Sequence, residues 1–296
     1  MDRRMQGVLV LILVLFGAVV VPSLAPKAIA GSATLGRIPP APRVGTCLLQ
    51  DPPDLATAVQ RQLVYHLGSC VTAHFGEVAL VVENASGVVQ GSGLSSLKKD
   101  PCADQSAYLG WTPPTTIVAG LRWRPINVPV INMVPGTLQR NFGQKWVACV
   151  VTPSTSGTSY VGSVKDALHT GKLPAAFAAC QFELALNHVG LVNCSQPHRF
   201  ETFAYAQLSG GFHDPQVLAS DCLKIAQLST SRSDPSFGGA LTIGTTAFHF
   251  DAAGHQQPGL GDAADDSEAV CAAQVTGARL LSRSLFGIGD QALPLS

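Results

Sequence analysis

Two stretches of the chain carry the same chemistry-bearing residues in the same order, CVTAHFGE at 70–77 and CSQPHRFE at 194–201. Each sets a cysteine, a histidine and a glutamate at offsets 0, 4 and 7. Thiolate, imidazole and carboxylate are all zinc ligands, and on a helix those offsets would share one face. The residues that follow read as strand, however, and Pro197 stands just before His198. On a strand, offsets 0 and 4 share a face and offset 7 does not. No metal and no other cofactor is therefore expected. The role expected for His74, Glu77, His198 and Glu201 is structural: the ring packs beside a disulfide, and a ring nitrogen bonds a backbone group or the glutamate.

Other chemistry has less support. A serine hydrolase built on Ser195 and His198, with Asp214 or Asp221 as third partner, would need the base aimed at the hydroxyl. The other stretch has Val71 where Ser195 stands, and no Gly-x-Ser-x-Gly elbow occurs. A glycosidase needs two carboxylates at a set separation, preferably with aromatic platforms. Glu77 and Glu201 recur in separate halves, and Trp111, Trp123 and Trp146 all lie in the first. The acidic loop 251–268, with Asp262, Asp265, Asp266 and Glu268, offers hard oxygens for calcium, but its spacing matches no calcium loop. A solvated loop is expected there. No catalytic residue is assigned, and the chain is expected not to be an enzyme.

The elements around these residues begin with an N-terminal segment. Arg3 and Arg4 precede the apolar run GVLVLILVLFGAVVV (7–21), and the small-x-small triplet Ala28-Ile29-Ala30 closes it. This is the order of a secretory signal; a retained membrane anchor is the other open reading. In both, residues 1–30 target the chain, and everything after about residue 31 lies outside the cytoplasm. The 19 basic and 19 acidic side chains balance, so no net field favours nucleic acid as a partner. The 8 cysteines all fall after the signal segment, and none forms Cys-x-x-Cys. An even count in an exported chain predicts disulfides.

The cysteines divide into two ordered sets, Cys47, Cys70, Cys102, Cys149 and then Cys180, Cys194, Cys222, Cys271. Other matches keep the same order: GRIPPAPRVGTC with GKLPAAFAAC, and WVACVV with EAVCAAQV. The chain is thus expected to be an internal duplication, with copy one at 36–151, a small polar linker at 152–160 and copy two at 161–296. In each copy the first cysteine is placed on a short strand. The His-Glu stretch opens a longer one, EVALVV (77–82) or ETFAYAQL (201–208), and the fourth cysteine sits on a final strand. ETFAYAQL alternates as a half-buried strand. Asp214 and Pro215 start a helix over 214–228 with Val217, Leu218, Cys222, Ile225 and Leu228 along one face. PCADQSAYLGW (101–111) is read as its shorter counterpart. The fold class is α+β: two tandem small disulfide-stapled domains, each a mostly antiparallel sheet with a helix. Each copy allows three cysteine pairings. The expected one joins first with fourth and second with third, and no bridge crosses between copies.

The residues Gly45-Thr46-Cys47, Cys70, His74, Glu77, Cys102, Gly143, Trp146 and Cys149 together resemble the septum-formation domain family of actinobacterial exported and membrane-anchored proteins. In copy two the resemblance rests on Cys180, Cys194-Ser195-Gln196-Pro197-His198, Glu201, Cys222 and Cys271. Copy one departs from the family's Cys-x-x-Pro-His with Ala73, and copy two has Ala179 where copy one has Thr46. The resemblance covers residues 36–155 and 162–283, and the order of the motifs carries it more than any single match. It implies a non-enzymatic cell-envelope protein, a binding or structural module linked to septum formation or cell division. Its partner would be an envelope protein or cell-wall component, with the membrane as a further partner if the N-terminal segment is uncleaved. A cell-wall-acting hydrolase is the alternative.

Overall fold

A computed structural model describes residues 38–51, 65–85, 100–111, 121–126, 128–155, 157–184, 190–208, 214–250, 256–259 and 267–296. The segment 1–30, expected to be a signal or anchor, lies outside these, as do Asp262, Asp265 and Asp266 of the acidic loop. Among the described residues no helix is long and apolar enough to cross a membrane.

The first sheet contains β1 (Cys47–Leu48), β2 (Leu67–Gly68), β3 (Gly76–Glu83), β5 (Val130–Met133) and β6 (Trp146–Val151), in the order β2-β1-β3-β6-β5. A short strand, β4 (Arg122–Pro125), precedes β5 and belongs elsewhere. One helical turn, α1 (Thr137–Asn141), links β5 to β6. The second sheet contains β7 (Ala179–Gln181), β8 (Leu191–Val192), β9 (Phe200–Leu208), β10 (Leu241–Phe250), β11 (Gln256–Pro258) and β12 (Ser267–Val275). Its order is β11-β10-β12-β9-β7-β8, and β4 adds to β9. Among the described residues the strands of both sheets pair antiparallel. Helix α2 (Pro215–Thr230) packs on β10 and β12. With its four disulfides, the protein is a disulfide-stapled α+β fold.

The two sheets repeat one register. Cys47 lies opposite Gly68 on β2 and Glu77 on β3; Cys180 lies opposite Val192 on β8 and Glu201 on β9. Val78 faces Val150 and Leu80 faces Cys149, so Ala79 is an extra residue in the ladder. Thr202 faces Ala272 and Ala204 faces Cys271, so Phe203 is the matching extra residue. A bulge of this kind bends the strand and re-aims the side chains beyond it.

All eight cysteines are paired and no bridge joins the copies, but the pairing expected within each copy is overturned. The bridges are Cys47–Cys70, Cys102–Cys149, Cys180–Cys194 and Cys222–Cys271: first with second, third with fourth. Ladder register is the reason. The hairpin partner of the first cysteine lies two positions before the second, which leaves their Cα atoms 5.2 and 5.3 Å apart. That is an ordinary disulfide span.

Two local expectations also change. Around Cys102 the chain forms turns and no helix; Asp100 Oδ1 accepts the Cys102 amide at 2.9 Å. Gly110, at φ +78, turns the chain so close to Asp166 that a Cβ would lie 2.8 Å from its Cα. Helix α2 forms as read, with Asp214 accepting the amides of Gln216 and Val217. Its buried face includes Leu218, Cys222 and Ile225, while Leu228 is exposed. Strand β9 is covered on both faces over most of its length rather than half-buried. Ala204 and Ala206 join the main core, while Tyr205 packs with Phe248 and Val270.

Residues 39–296 form one compact unit. Its main core runs through both copies, from Trp123 and Ile126 to Phe177, Phe203 and Ile225. Strand β4, drawn from copy one, pairs with β9 of copy two, Trp123 opposite Ala206. The segment 152–160 carries Thr152 and Tyr160, which are 7% and 6% exposed and so are part of the packed interior.

Candidate functional site

The repeated Cys-His-Glu stretch sits at the same place in each sheet. A turn follows the second cysteine and carries the chain to the histidine, and the glutamate is the second residue of the long strand. The turn brings the cysteine and histidine of each stretch together. All four motif side chains are buried: His74 0%, Glu77 1%, His198 0% and Glu201 0% exposed.

Each histidine is held by backbone. His74 exchanges both peptide hydrogen bonds with Tyr160, and His198 does so with Leu281, all between 2.8 and 2.9 Å. The Nδ1 of His74 lies 2.7 Å from the Thr72 carbonyl oxygen, and the Nδ1 of His198 lies 2.7 Å from that of Gln196. A carbonyl only accepts, so Nδ1 carries the hydrogen and donates. The two Nε2 atoms are buried and without a hydrogen-bond partner. In copy two Nε2 lies 3.8 Å from Glu201 Oε2. The His74 ring also meets Tyr160 edge-on at 4.0 Å, and Tyr160 meets Phe177 at 4.7 Å.

Each glutamate is received by a Ser-apolar pair far along the chain. Glu77 Oε1 accepts from Ser163 Oγ at 2.6 Å, and Oε2 accepts from the Val164 amide at 2.7 Å. Glu201 Oε1 accepts from Ser284 Oγ at 2.5 Å, and Oε2 accepts from the Leu285 amide at 2.8 Å. The serine oxygens in turn accept the amides of Lys165 and Phe286. Two residues after each apolar partner the backbone turns left-handed, at Asp166 (φ 56) and Gly287 (φ 63). Copy one adds a third donor, the Tyr108 hydroxyl, 2.6 Å from Glu77 Oε1. Burial and the adjacent carboxylate push the Tyr108 phenol well above its ordinary range. Burial, reinforced by the Glu77 charge, does the same to Tyr160.

Sequence reasoning missed these receiving turns. The signal was present: SVKDAL (163–168) and SLFGIG (284–289) share a serine, an apolar residue and an apolar residue again two positions beyond the next, at a similar interval after the fourth cysteine. The other candidate residues are not brought together. The Ser195 hydroxyl bonds Asn193 Oδ1, Asp214 caps α2, and Asp221 lies 3.6 Å from Lys224 Nζ. Trp123 and Trp146 are buried in core clusters rather than set out as platforms.

Copy one's motif borders solvent. An open groove of about 550 Å³ is lined by Val44, Cys70, Val71, Glu77, Tyr108 and Ser163. Val44, Val71 and Val161 are 52%, 78% and 63% exposed beside it. A narrower cleft of about 130 Å³ lies at the seam of the copies, lined by Gln105, Arg124, Ile126, Tyr205 and Glu268 among others. Burial pushes the Tyr205 phenol up to about 12.

Fold and site together define a disulfide-stapled α+β protein with one buried His-Glu module written twice. No family model, no curated protein and no solved structure matches the chain. Four disulfides suit an oxidising compartment, which points to the outside of the cytoplasm.

Proposed function

We propose that this chain is a non-enzymatic protein of the bacterial envelope, exported or held at the membrane by residues 1–30, in which two tandem septum-formation-like modules form a body that binds another envelope component. One observation carries the reading. The motif glutamates are buried and both oxygens of each accept from serine, tyrosine or backbone donors, while Val44, Val71 and Val161 face solvent beside Glu77 among the polar Ser69, Ser163 and Lys165. A general acid or base must reach a substrate proton, whereas a buried carboxylate whose two oxygens both accept from the protein's own donors fixes architecture. The exposed Val44, Val71 and Val161 give copy one a surface suited to a partner with apolar side chains, because clustered exposed apolar residues mark contact sites.

The test is co-sedimentation of the 31–296 fragment with purified cell-wall sacculi and with envelope membranes. Binding that falls on Val71→Asp and Val161→Asp substitution supports the reading. Release of soluble wall fragments by the purified protein would overturn it in favour of a cell-wall hydrolase.

A further inference from the structure

The geometry points to a metal site latent in the oxidised protein: on reduction of Cys47–Cys70, the two thiolates and His74 Nε2 bind a zinc-class divalent cation. The ligand atoms of Cys47, Cys70 and His74 lie within 4.8 Å of one another, and those of Cys180, Cys194 and His198 do the same. The second observation is the bare imidazole nitrogen. His74 Nε2 is buried without a hydrogen-bond partner, while Nδ1–H is fixed on the Thr72 carbonyl. A carbonyl on the far nitrogen sets the tautomer and ring orientation that a metal-binding histidine needs.

The backbone already has a suitable span. The Cα atoms of Cys47 and Cys70 are 5.2 Å apart. Two thiolates on a tetrahedral zinc, each about 2.3 Å from the metal, sit about 3.8 Å from one another. Side-chain rotation alone covers the change from a bonded pair of sulfurs to that separation. The copies differ in access. Cys70 lines the open groove of copy one, whereas Cys194 is 0% exposed. Copy one is therefore the site that reductant and metal reach. The fourth position is left to water or to Glu77. In copy two the equivalent carboxylate oxygen stands 3.8 Å from the imidazole nitrogen, close to a ligand–ligand separation.

The step balances as follows. A dithiol supplies two electrons and two protons, the Cys47–Cys70 bond breaks to give two thiols, and the dithiol leaves as its own disulfide. The divalent cation then displaces both thiol protons to solvent. The imidazole adds a neutral nitrogen without gaining or losing a proton.

The full chain is treated with an immobilised dithiol, separated from it without oxygen, and titrated with cobalt(II). The expected result is a first equivalent with thiolate-to-cobalt charge-transfer absorption, absent from the oxidised chain. A Cys47→Ser, Cys70→Ser double variant loses that equivalent. His74→Ala weakens it by more than about tenfold, the least that even a supporting residue of a metal site costs. A Cys180→Ser, Cys194→Ser double variant keeps it. Circular dichroism of the reduced chain follows the fold in parallel. The proposal is overturned if the reduced chain takes up no cobalt, if reduction unfolds it, if the oxidised chain binds equally, or if binding survives loss of Cys47 and Cys70.

Discussion

The carboxylate of Glu77 accepts the backbone amide of Val164 at 2.7 Å across 87 positions of chain, and Glu201 accepts that of Leu285 at 2.8 Å across 84. These two bonds tie the strand after the second cysteine to a turn beyond the fourth; Ser163-Val164 lies past the expected linker 152–160, so the first sheet is closed by residues read from sequence as the start of copy two. Replacing either glutamate by glutamine puts an amide N–H₂ group among converging donors. A buried donor left unsatisfied costs about 1–3 kcal/mol. Glu77→Gln and Glu201→Gln should each lower the melting temperature by a few degrees. Glu77→Gln should lower it more, because Tyr108 is a third donor there. Scanning calorimetry checks both; unchanged melting in either variant would remove the closing role assigned to that glutamate.

Tyr108 ties an alkaline sensitivity to the motif glutamate of copy one. Its folded-state value is raised above the ordinary 10.0 by burial and by Glu77. A raised value means the contribution is complete below pH 10 and is lost as pH climbs toward the folded value, since the unfolded chain ionises first. The wild type should therefore lose urea resistance above pH 10 more steeply than Tyr108→Phe does. Parallel pH-dependence in the two proteins would show that the phenol is not coupled to folding.

The disulfides should differ in weight. Cys222–Cys271 spans 49 positions and Cys180–Cys194 spans 14. On the chain-entropy account the longer loop stabilises by about 1 kcal/mol more. Removing Cys222–Cys271 by paired serine substitution should thus cost more than removing Cys180–Cys194. A non-reducing digest read by mass spectrometry tests the connectivity itself, and a Cys47–Cys149 peptide would contradict the fold.

Trp123 joins the copies. It is 2% exposed, on β4, opposite Ala206 of β9. Trp123→Ala should cost about 3–5 kcal/mol, the usual range for emptying a buried aromatic site. A 161–296 fragment lacks β4 altogether and leaves that stretch of the β9 edge unpaired. It should self-associate through the edge, as open strands do. A monomeric fragment in sedimentation, as stable as the full chain, would show that β4 is dispensable to copy two.

Much of the local structure was legible in the sequence. Strands over 77–82 and 201–208 and a helix from Asp214 appear where apolar period, cap and proline place them. These are short-range properties: a capping carboxylate reaches its own first turn, and alternation is read from neighbours. An even number of cysteines behind an expected targeting segment likewise sufficed to expect four bridges. What sequence alone left undecided was anything that depends on which strand lies beside which. Cys47 meets Cys70 because β1 and β2 pair as a hairpin. Leu228 stays exposed because α2 turns Leu218, Cys222 and Ile225 inward. Both faces of β9 are covered because β10 and β12 bring Phe248 and Val270 to one and the main core meets the other. The destination of Glu77 and Glu201 lay furthest out of reach. A buried carboxylate needs donors, and only the folded chain returns Ser163-Val164 and Ser284-Leu285 to supply them.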